Sequence, residues 1–338
     1  AGAVEAAAST GGQIMPPVMG AAAFIMAEML GRPYSDIAIA AVIPAALYYL
    51  AVFMTTHFRA VKRGLRGLSK EEVPLLRVVL PRGFHFFVPI AVLIYFLFGG
   101  YTAFRAAFAA IVALVIVAML RRETRLGPKG FVEALESGAR TSVVIAVTCA
   151  TAGIIVGVLD TTGAGIRFVS VVTGISGENY FLTLVLVMVS CLVLGMGVPT
   201  APAYIIAAMI AAPALIKLGA PPLVAHMFVF YSALLSAITP PVALAAYAGA
   251  AISGGNVMMT GISAVRLGFV TFVVPYMFAY NPALLMMGSP VEVAWVVFTA
   301  VLGVLAMVVA FEGYCYGLLS PPLRALFAAA GATMMVPE

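Results

Sequence analysis

Two proline pairs stand inside long apolar runs of the sequence, where a broken helix would leave backbone groups without partners. Pro16-Pro17 interrupts the run Val4–Leu30, and Pro240-Pro241 interrupts the run Leu223–Ile252. A proline pair removes two amide donors and disfavours helical geometry in the residue before it. Carbonyl groups freed at membrane depth need a neighbouring chain, water or a cation, and the half-helix after the break presents free N–H groups suited to an anion. The pairs therefore predict ligand-binding breaks as well as simple kinks.

Residues that supply oxygen atoms or permit close approach lie at the same breaks. Gly11, Gly12 and Ser236 let neighbouring backbone come close, while Gln13 and Thr239 add side-chain oxygens. Neutral oxygens of this kind can hold a monovalent cation without a buried carboxylate. Sodium coupling and proton coupling both stay open, because every candidate ligand is a backbone, hydroxyl or amide oxygen.

A third break lies in the run Tyr180–Lys217, which is too long for a single span. Its sequence is Gly195-Met196-Gly197-Val198-Pro199-Thr200, and the glycines permit a turn at membrane depth. The run therefore predicts a re-entrant hairpin with its tip at residues 195–199. Together with the second proline break, this tip predicts a sodium site at Thr200, Ser236 and Thr239.

Three carboxylates and two tyrosines near these runs are further candidates. Glu5, Glu28 and Glu312 lie within or at the ends of apolar runs, where a carboxylate is either functional or placed at the membrane interface. Tyr204 and Tyr247 follow two of the breaks by about one turn. Either tyrosine could line a pocket or pack in the interior.

The composition indicates that much of the chain faces lipid. Of 338 residues, 64% are hydrophobic and 9% are charged, and the mean hydropathy is +1.13. Soluble domains carry roughly 25% charged residues, so this chain could not cover its own surface in water. The sequence has no His-Glu-x-x-His motif, no paired aspartates within spans and no reachable Ser/His pair. It therefore predicts an integral membrane protein that is not an enzyme and has no covalent cofactor.

The basic residues indicate which loops lie inside the cell. Twelve of the 18 lie in two loops, as expected of cytoplasmic connections and not of a nucleic-acid-binding face. The first loop contains Arg59, Lys62, Arg63, Arg66, Lys70, Arg77 and Arg82, and the second contains Arg121, Arg122, Arg125, Lys129 and Arg140. With both loops inside, Asp160–Asn179 falls outside. Within the second loop, Pro128–Gly138 is expected to be an interfacial helix or a solvated connector.

The apolar runs and the breaks together predict an all-α membrane protein with discontinuous helices. The remaining runs are Ile37–Thr56, Phe84–Phe98, Ala103–Leu120, Ser142–Leu159, Leu267–Met287 and Val291–Phe311, with a short apolar end from Leu323. The predicted organisation is a first repeat ending at residues 1–56, basic loops flanking two spans at 57–140, a second repeat at 141–287 and C-terminal spans at 288–338.

The two proline breaks align as an internal repeat. Ile14-Met15-Pro16-Pro17-Val18-Met19-Gly20-Ala21-Ala22 matches the nine residues from Ile238 to Ala246 at six positions, and each copy is followed by one further span. Under the predicted topology the copies run in opposite directions. Inverted repeats with broken helices are typical of secondary transporters, whose sites lie near the bilayer midplane. We therefore expect Ile14–Pro17 and Ile238–Pro241 to approach each other there.

The sequence resembles a known transporter family through three motifs in order. They are Gly11-Gly12-Gln13-Ile14-Met15-Pro16-Pro17-Val18-Met19-Gly20, Gly195-Met196-Gly197-Val198-Pro199-Thr200-Ala201-Pro202, and Ser236-Ala237-Ile238-Thr239-Pro240-Pro241-Val242-Ala243. These are similar to the large membrane subunit of TRAP (tripartite ATP-independent periplasmic) transporters. The segments Arg266–Phe278 and Tyr280-Asn281-Pro282 resemble the fused permeases that work with TAXI-type solute-binding proteins.

The resemblance implies a function and a site. It implies an elevator-type permease of the inner membrane, driven by a cation gradient, usually sodium, that takes up organic anions such as carboxylates from a periplasmic solute-binding protein. The implied cation- and substrate-binding residues are Gly11, Gly12, Gln13, Pro16, Pro17, Gly195, Gly197, Pro199, Thr200, Ser236, Thr239 and Pro240. The first hairpin of the family and its small-subunit-like helices are expected upstream of Ala1. The alternatives are a proton-coupled carrier of another small solute and a pore-forming channel subunit.

Overall fold

The computed structural model describes residues 1–65, 67, 69, 73, 75, 77, 83–120 and 124–335. These residues form α-helices and 3₁₀ turns, and among them the only β contact is one isolated bridge between Tyr314 and Leu318. The all-α prediction is therefore confirmed. Five basic residues of the two predicted loops, Arg66, Lys70, Arg82, Arg121 and Arg122, lie outside the described residues.

Fifteen α-helices are described, and most agree with the apolar runs. They are α1 (Gly2–Gly11), α2 (Ala21–Leu30), α3 (Tyr34–Lys62), α4 (Phe87–Phe98), α5 (Ala103–Leu120), α6 (Pro128–Thr161), α7 (Ala164–Ser176), α8 (Tyr180–Leu194), α9 (Thr200–Lys217), α10 (Pro222–Leu235), α11 (Leu244–Ser253), α12 (Val257–Leu267), α13 (Val274–Tyr280), α14 (Pro290–Glu312) and α15 (Pro321–Met335). Short 3₁₀ turns lie at Phe84–Phe86, Ser236–Ile238, Phe269–Phe272 and Pro282–Leu285. All three predicted breaks separate consecutive helices.

Five of the described helices are long and apolar enough to cross a membrane by themselves, namely α3, α5, α6, α9 and α14. A sixth candidate is the pair Val257–Leu267 and Phe269–Tyr280, which is bent by 64°. These lengths and compositions agree with a multi-pass membrane protein. The shorter apolar helices α1, α2, α8, α10 and α11 are the halves and arms that flank the breaks.

Two sequence predictions about helix boundaries are wrong. Pro128–Gly138 is neither a separate interfacial helix nor a connector, because α6 continues without interruption from Pro128 to Thr161. Gly138, which has open space around it, does not end the helix. The predicted single span Leu267–Met287 is instead divided among the end of α12, two 3₁₀ turns and α13. Pro275 and Pro282 begin new segments there, since proline is tolerated in the first turn of a helix but not in its interior.

The chain forms two compact units. The first comprises Ala1–Gly31, Ile37–Leu65 and Thr148–Glu338, and the second comprises Arg32–Asp36 and Arg66–Val147. In the second unit α4 packs against α5, and the apolar face of α5 is largely exposed, with Phe104 and Phe108 at 89% and 70%. Large exposed apolar side chains on a helix of this length are expected of a surface that faces lipid.

The core of the first unit is built around α10. Every residue of α10 from Leu223 to Leu235 is buried, and α10 packs against α8, α9, α13 and the turn Ser236–Ile238. A helix that is apolar on all sides is expected to be surrounded by protein or lipid. Since α10 leads directly into the second proline break, that break begins in the interior of the unit.

Candidate functional site

The second break replaces helix by extended chain. After α10, the turn Ser236–Ile238 leads to Thr239 in an extended conformation, and the cis peptide bond between Pro240 and Pro241 follows before α11 begins. Within the described part of the chain, no hydrogen bond reaches the carbonyl oxygens of Ile238, Thr239 or Pro240. Three carbonyl acceptors thus remain available at consecutive residues, as the prolines predict.

The two hydroxyl groups at this break donate hydrogen bonds to carbonyl groups of the preceding helix, α10. Ser236 Oγ donates to the carbonyl oxygen of Ala233 at 2.6 Å, and Thr239 Oγ1 donates to that of Leu235 at 2.7 Å. A hydroxyl that donates its proton still has lone pairs on its oxygen. Both oxygens can therefore act as neutral acceptors toward a cation while their orientation is fixed by α10.

The tip between α8 and α9 lies directly against the second break. A Cβ added to Gly195 would lie 2.5 Å from Ser236 Oγ and 3.0 Å from Ser236 Cβ. Gly197 has a φ of +74°, which glycine adopts readily, and a Cβ there would lie 3.3 Å from Val242. The structure therefore brings three predicted site residues, Gly195, Gly197 and Ser236, to one place.

Pro199 and Thr200 form the start of α9. Pro199 is the N-cap residue, and Thr200 is the first residue of the helix. No hydrogen bond of the Thr200 hydroxyl is found among the described residues, and the free N–H groups of the first turn of a helix carry partial positive charge. The tip thus combines an available hydroxyl with a helix N-terminus, beside the carbonyl-rich break.

The first break is a tighter turn. The amides of Gly12 and Gln13 donate to the carbonyl oxygens of Ser9 and Thr10, and Gly20 donates back to the carbonyl of Gln13 at 2.7 Å. This last bond closes a loop of the six residues 14–19, which contains the cis peptide bond between Pro16 and Pro17. The Gln13 side chain is folded over Gly20, immediately before α2.

Two tyrosines that sequence reasoning did not single out hold the helix before this break. Tyr48 and Tyr49 of α3 donate from their hydroxyls to the carbonyl oxygens of Ala7 and Ala8, at 2.7 and 3.2 Å. A Cβ at Gly11 would lie 2.6 Å from the Tyr48 ring, so only glycine fits this contact. The Tyr-Tyr pair within an apolar span was the available signal, but its target in α1 depends on tertiary packing.

Tyr247 and Tyr204, the two tyrosines predicted from the sequence as pocket or interior residues, have different surroundings. Tyr247 donates from its hydroxyl to the carbonyl oxygen of Pro241, so it lies at the second break and closes it. Tyr204 is fully buried, and its hydroxyl is 2.7 Å from Nδ1 of His226 on α10. Tyr204 therefore packs in the interior and does not line an open pocket.

The helices on either side of the two breaks pack crosswise against each other. Helix α1, before the first break, packs against α11, after the second, while α10, before the second break, packs against α2, after the first. Gly2 and Gly249 come so close that a Cβ on either would collide with the carbonyl group of the other. A Cβ at Gly2, the first residue of α1, would also lie 2.6 Å from Ser253 Oγ at the end of α11. Since α1 also packs against the turn before α11, these two helices run antiparallel.

No hydrogen bond or ion pair in the described part of the chain joins the predicted carboxylates to the breaks. Glu5 and Glu28 are exposed, whereas Glu312 is buried at the end of α14 and forms an ion pair with Arg59. Among the described residues, no group of three His, Cys, Asp or Glu side chains could hold a metal ion.

Comparison with known families agrees with this architecture. The model of the family described as "Tripartite ATP-independent periplasmic transporter, DctM component" matches residues 1–293 and so includes all three breaks. A comparison with curated proteins finds no match. Permeases of this family are integral membrane proteins that work with a periplasmic binding protein and a small subunit in solute uptake, and they are not enzymes. The chain therefore belongs to the DctM family of tripartite ATP-independent periplasmic transporter components.

Proposed function

We propose that this permease couples the uptake of an organic anion to a sodium ion bound at the second break and the tip between α8 and α9. The observation that carries the proposal is the close contact between Gly195 and Ser236. This contact lies beside the carbonyl oxygens of Ile238, Thr239 and Pro240, which no hydrogen bond reaches within the described part of the chain. Each unpaired carbonyl in an apolar setting costs a few kcal/mol. A cation that accepts these oxygens as ligands would recover that free energy, which a simple kink would not need.

The proposed ligands are Thr200, Ser236 and Thr239 together with carbonyl oxygens of the break. The hydroxyls of Ser236 and Thr239 are held by α10 with their lone pairs available. Neutral oxygens held in a fixed arrangement can replace the hydration shell of a monovalent ion. The motif residues of the first break, Gly11, Gly12, Gln13, Pro16 and Pro17, would form the corresponding part of the cation- and substrate-binding region.

The helix N-termini at the breaks fit an anionic solute. Helices α2, α9 and α11 all begin at a break, and the N-terminus of a helix presents free N–H groups and a positive dipole end. A carboxylate delivered by the binding protein would be stabilised there, and the nearby cation would offset its charge. We propose a TAXI-type binding protein as the donor and an elevator motion with a re-entrant hairpin as the transport mechanism.

A proton-coupled carrier is the alternative, and one observation favours it. Tyr204 and His226 form a buried hydrogen bond of 2.7 Å between α9 and α10, the two helices that lead from the tip and into the second break. A histidine is the side chain best suited to take up a proton near neutral pH. Under this alternative, uptake would follow a pH gradient without sodium and would be lost in His226→Gln.

The decisive experiment is Thr239→Val in the permease assembled with its small subunit and binding protein in vesicles. Valine keeps the shape of the side chain but removes one oxygen, and we expect the sodium concentration for half-maximal uptake to rise about tenfold, which corresponds to about 1.4 kcal/mol. Thr183→Val is the matched control, because Thr183 also donates to the carbonyl four residues before it but lies in α8 away from the tip. An unchanged sodium dependence in both Thr239→Val and Thr200→Val would refute the proposed site.

A further inference from the structure

Three cationic side chains converge on the C-terminal end of α14. Arg59 at the end of α3 donates from Nε and Nη2 to the two carboxylate oxygens of Glu312, the first at 3.3 Å. Lys62 Nζ donates to the carbonyl oxygen of Glu312 at 2.6 Å. Arg324 of α15 donates to the carbonyl oxygens of residues 310 and 311, at 2.9 and 3.1 Å. The end of α3 is thereby joined to the end of α14 across separations of 250 and 253 residues in the sequence.

The charges of this cluster are not balanced. Glu312 is the only carboxylate that the three cations contact among the described residues, and it is bound to Arg59. Carbonyl groups satisfy the hydrogen-bond donors of Lys62 and Arg324 but cancel none of their charge, and the dipole of α14 offsets only about half an elementary charge. A further basic residue, Arg63, follows on the exposed surface. The cluster therefore carries a surplus of positive charge.

Large apolar side chains project beside the same cluster. The turn at residues 313–320 joins α14 to α15, and Tyr316 and Leu318 on it are 101% and 77% exposed. Helix α14 has 23 residues, or about 35 Å at 1.5 Å per residue, so the end of a membrane-spanning α14 lies where hydrocarbon meets headgroups. Tyrosine is enriched at that depth because its ring is apolar and its hydroxyl is polar.

We propose that Lys62, Arg63, Arg324 and the turn at residues 313–320 form a binding site for an anionic phospholipid, with the cations on its phosphate and Tyr316 and Leu318 among its upper acyl carbons. The surplus charge selects an anionic headgroup, and the projecting side chains select a lipid over a soluble anion. Anionic lipids concentrate in the cytoplasmic leaflet, which is the side predicted for Arg59 and the basic loop that follows it. The site lies apart from the breaks, and most of α14 and all of α15 fall outside the family match.

The test places a fluorescent probe in the turn. The chain has a single tryptophan, Trp295, so Tyr316→Trp in a Trp295→Phe background gives one indole at the site. Vesicles containing brominated phosphatidylglycerol or brominated phosphatidylcholine then report which lipid lies beside it. We expect phosphatidylglycerol to quench at roughly one twenty-fifth of the phosphatidylcholine concentration, counting two of the three cations on the phosphate at about 1 kcal/mol each.

The cationic contact is tested by Lys62→Gln, which should reduce the preference for phosphatidylglycerol about fivefold and leave quenching by phosphatidylcholine unchanged. Lys217→Gln is the matched control, because Lys217 is also an exposed lysine in the last turn of a helix, α9. Native mass spectrometry of the unsubstituted protein, with phosphatidylglycerol offered in detergent, measures lipid retention independently of the probe. Equal quenching by both lipids, or relief of quenching by millimolar inorganic phosphate, would overturn the proposal, the second by assigning the site to a soluble anion.

Discussion

Replacing Gly195 by alanine tests whether the tip must sit against the second break. The added Cβ would lie 2.5 Å from Ser236 Oγ, 3.0 Å from Ser236 Cβ and 3.1 Å from the carbonyl oxygen of Cys191. Both side-chain atoms belong to a residue that is 2% exposed and hydrogen-bonded to α10, so it cannot move aside freely. Overpacking of this kind costs about 1–3 kcal/mol. If cation binding requires the seated tip, the apparent sodium affinity of uptake falls by about fivefold to 150-fold.

The assay is sodium-dependent solute uptake by the reconstituted permease, together with thermal unfolding in detergent. Gly174→Ala in α7 is the control, since no atom lies within 4 Å of a Cβ there and alanine favours a helix. Ser236→Gly in the Gly195→Ala background removes both colliding atoms and should recover most of the lost sodium affinity, apart from the contribution of the serine hydroxyl itself. If Gly195→Ala left sodium affinity and thermal stability both unchanged, Gly195 would not be in close contact with Ser236. The proposed cation site would then be refuted.

Three further predictions concern the surrounding structure. Glu312→Gln should lower the free energy of unfolding by roughly 2 kcal/mol, which is less than for a fully buried pair because Arg59 keeps some exposure. Glu136→Gln, in an exposed ion pair with Arg140, should change the free energy of unfolding by under about 0.5 kcal/mol. Denaturation in detergent measures both variants. Tyr48→Phe should lower the free energy of unfolding by about 1 kcal/mol, because the Ala7 carbonyl loses its hydrogen bond to the Tyr48 hydroxyl. The hydrogen bond of Tyr49 is longer and partly exposed, so a smaller loss of stability in Tyr48→Phe than in Tyr49→Phe would contradict the assigned contact. In a background with the three native cysteines replaced by alanine, Thr162→Cys should react with an impermeant thiol reagent in intact cells and Arg125→Cys should not; the reverse pattern would invert the predicted topology.

The sequence predicted the breaks well because proline and glycine act locally. The boundaries of α5 and the tip between α8 and α9 agree with the apolar runs, since a helix ends where donors are missing or the backbone turns. The same local reasoning failed at α6, where polar residues around Gly138 suggested a boundary but the helix continues. Composition marks where a segment enters or leaves the membrane, and a helix can pass that point without changing its backbone.

The contacts of the site could not be predicted in the same way. Nothing in the spacing of Tyr48 indicates that its hydroxyl reaches Ala7, 41 residues away, and Arg59 and Glu312 are 253 residues apart. Such pairs depend on how buried helices cross, which many apolar sequences satisfy equally. The repeat was visible because its Pro-Pro-Val core survives in both copies, but the Gly2–Gly249 approach lies in flanking residues without an alignable motif.

The two breaks are supported differently, and the proposed coupling follows from that difference. The first is held from outside by Tyr48 and Tyr49, whereas the second is closed by its own Tyr247 and by the neighbouring tip. A cation that binds carbonyl groups of the second break would fix the start of α11, and α11 packs against α1, which leads to the first break. A ligand changes a distant site only through a difference in its affinity for two arrangements. In the proposed function, the crosswise packing of the helices on either side of the breaks is the physical link by which sodium at one break would change the affinity of the other for the solute.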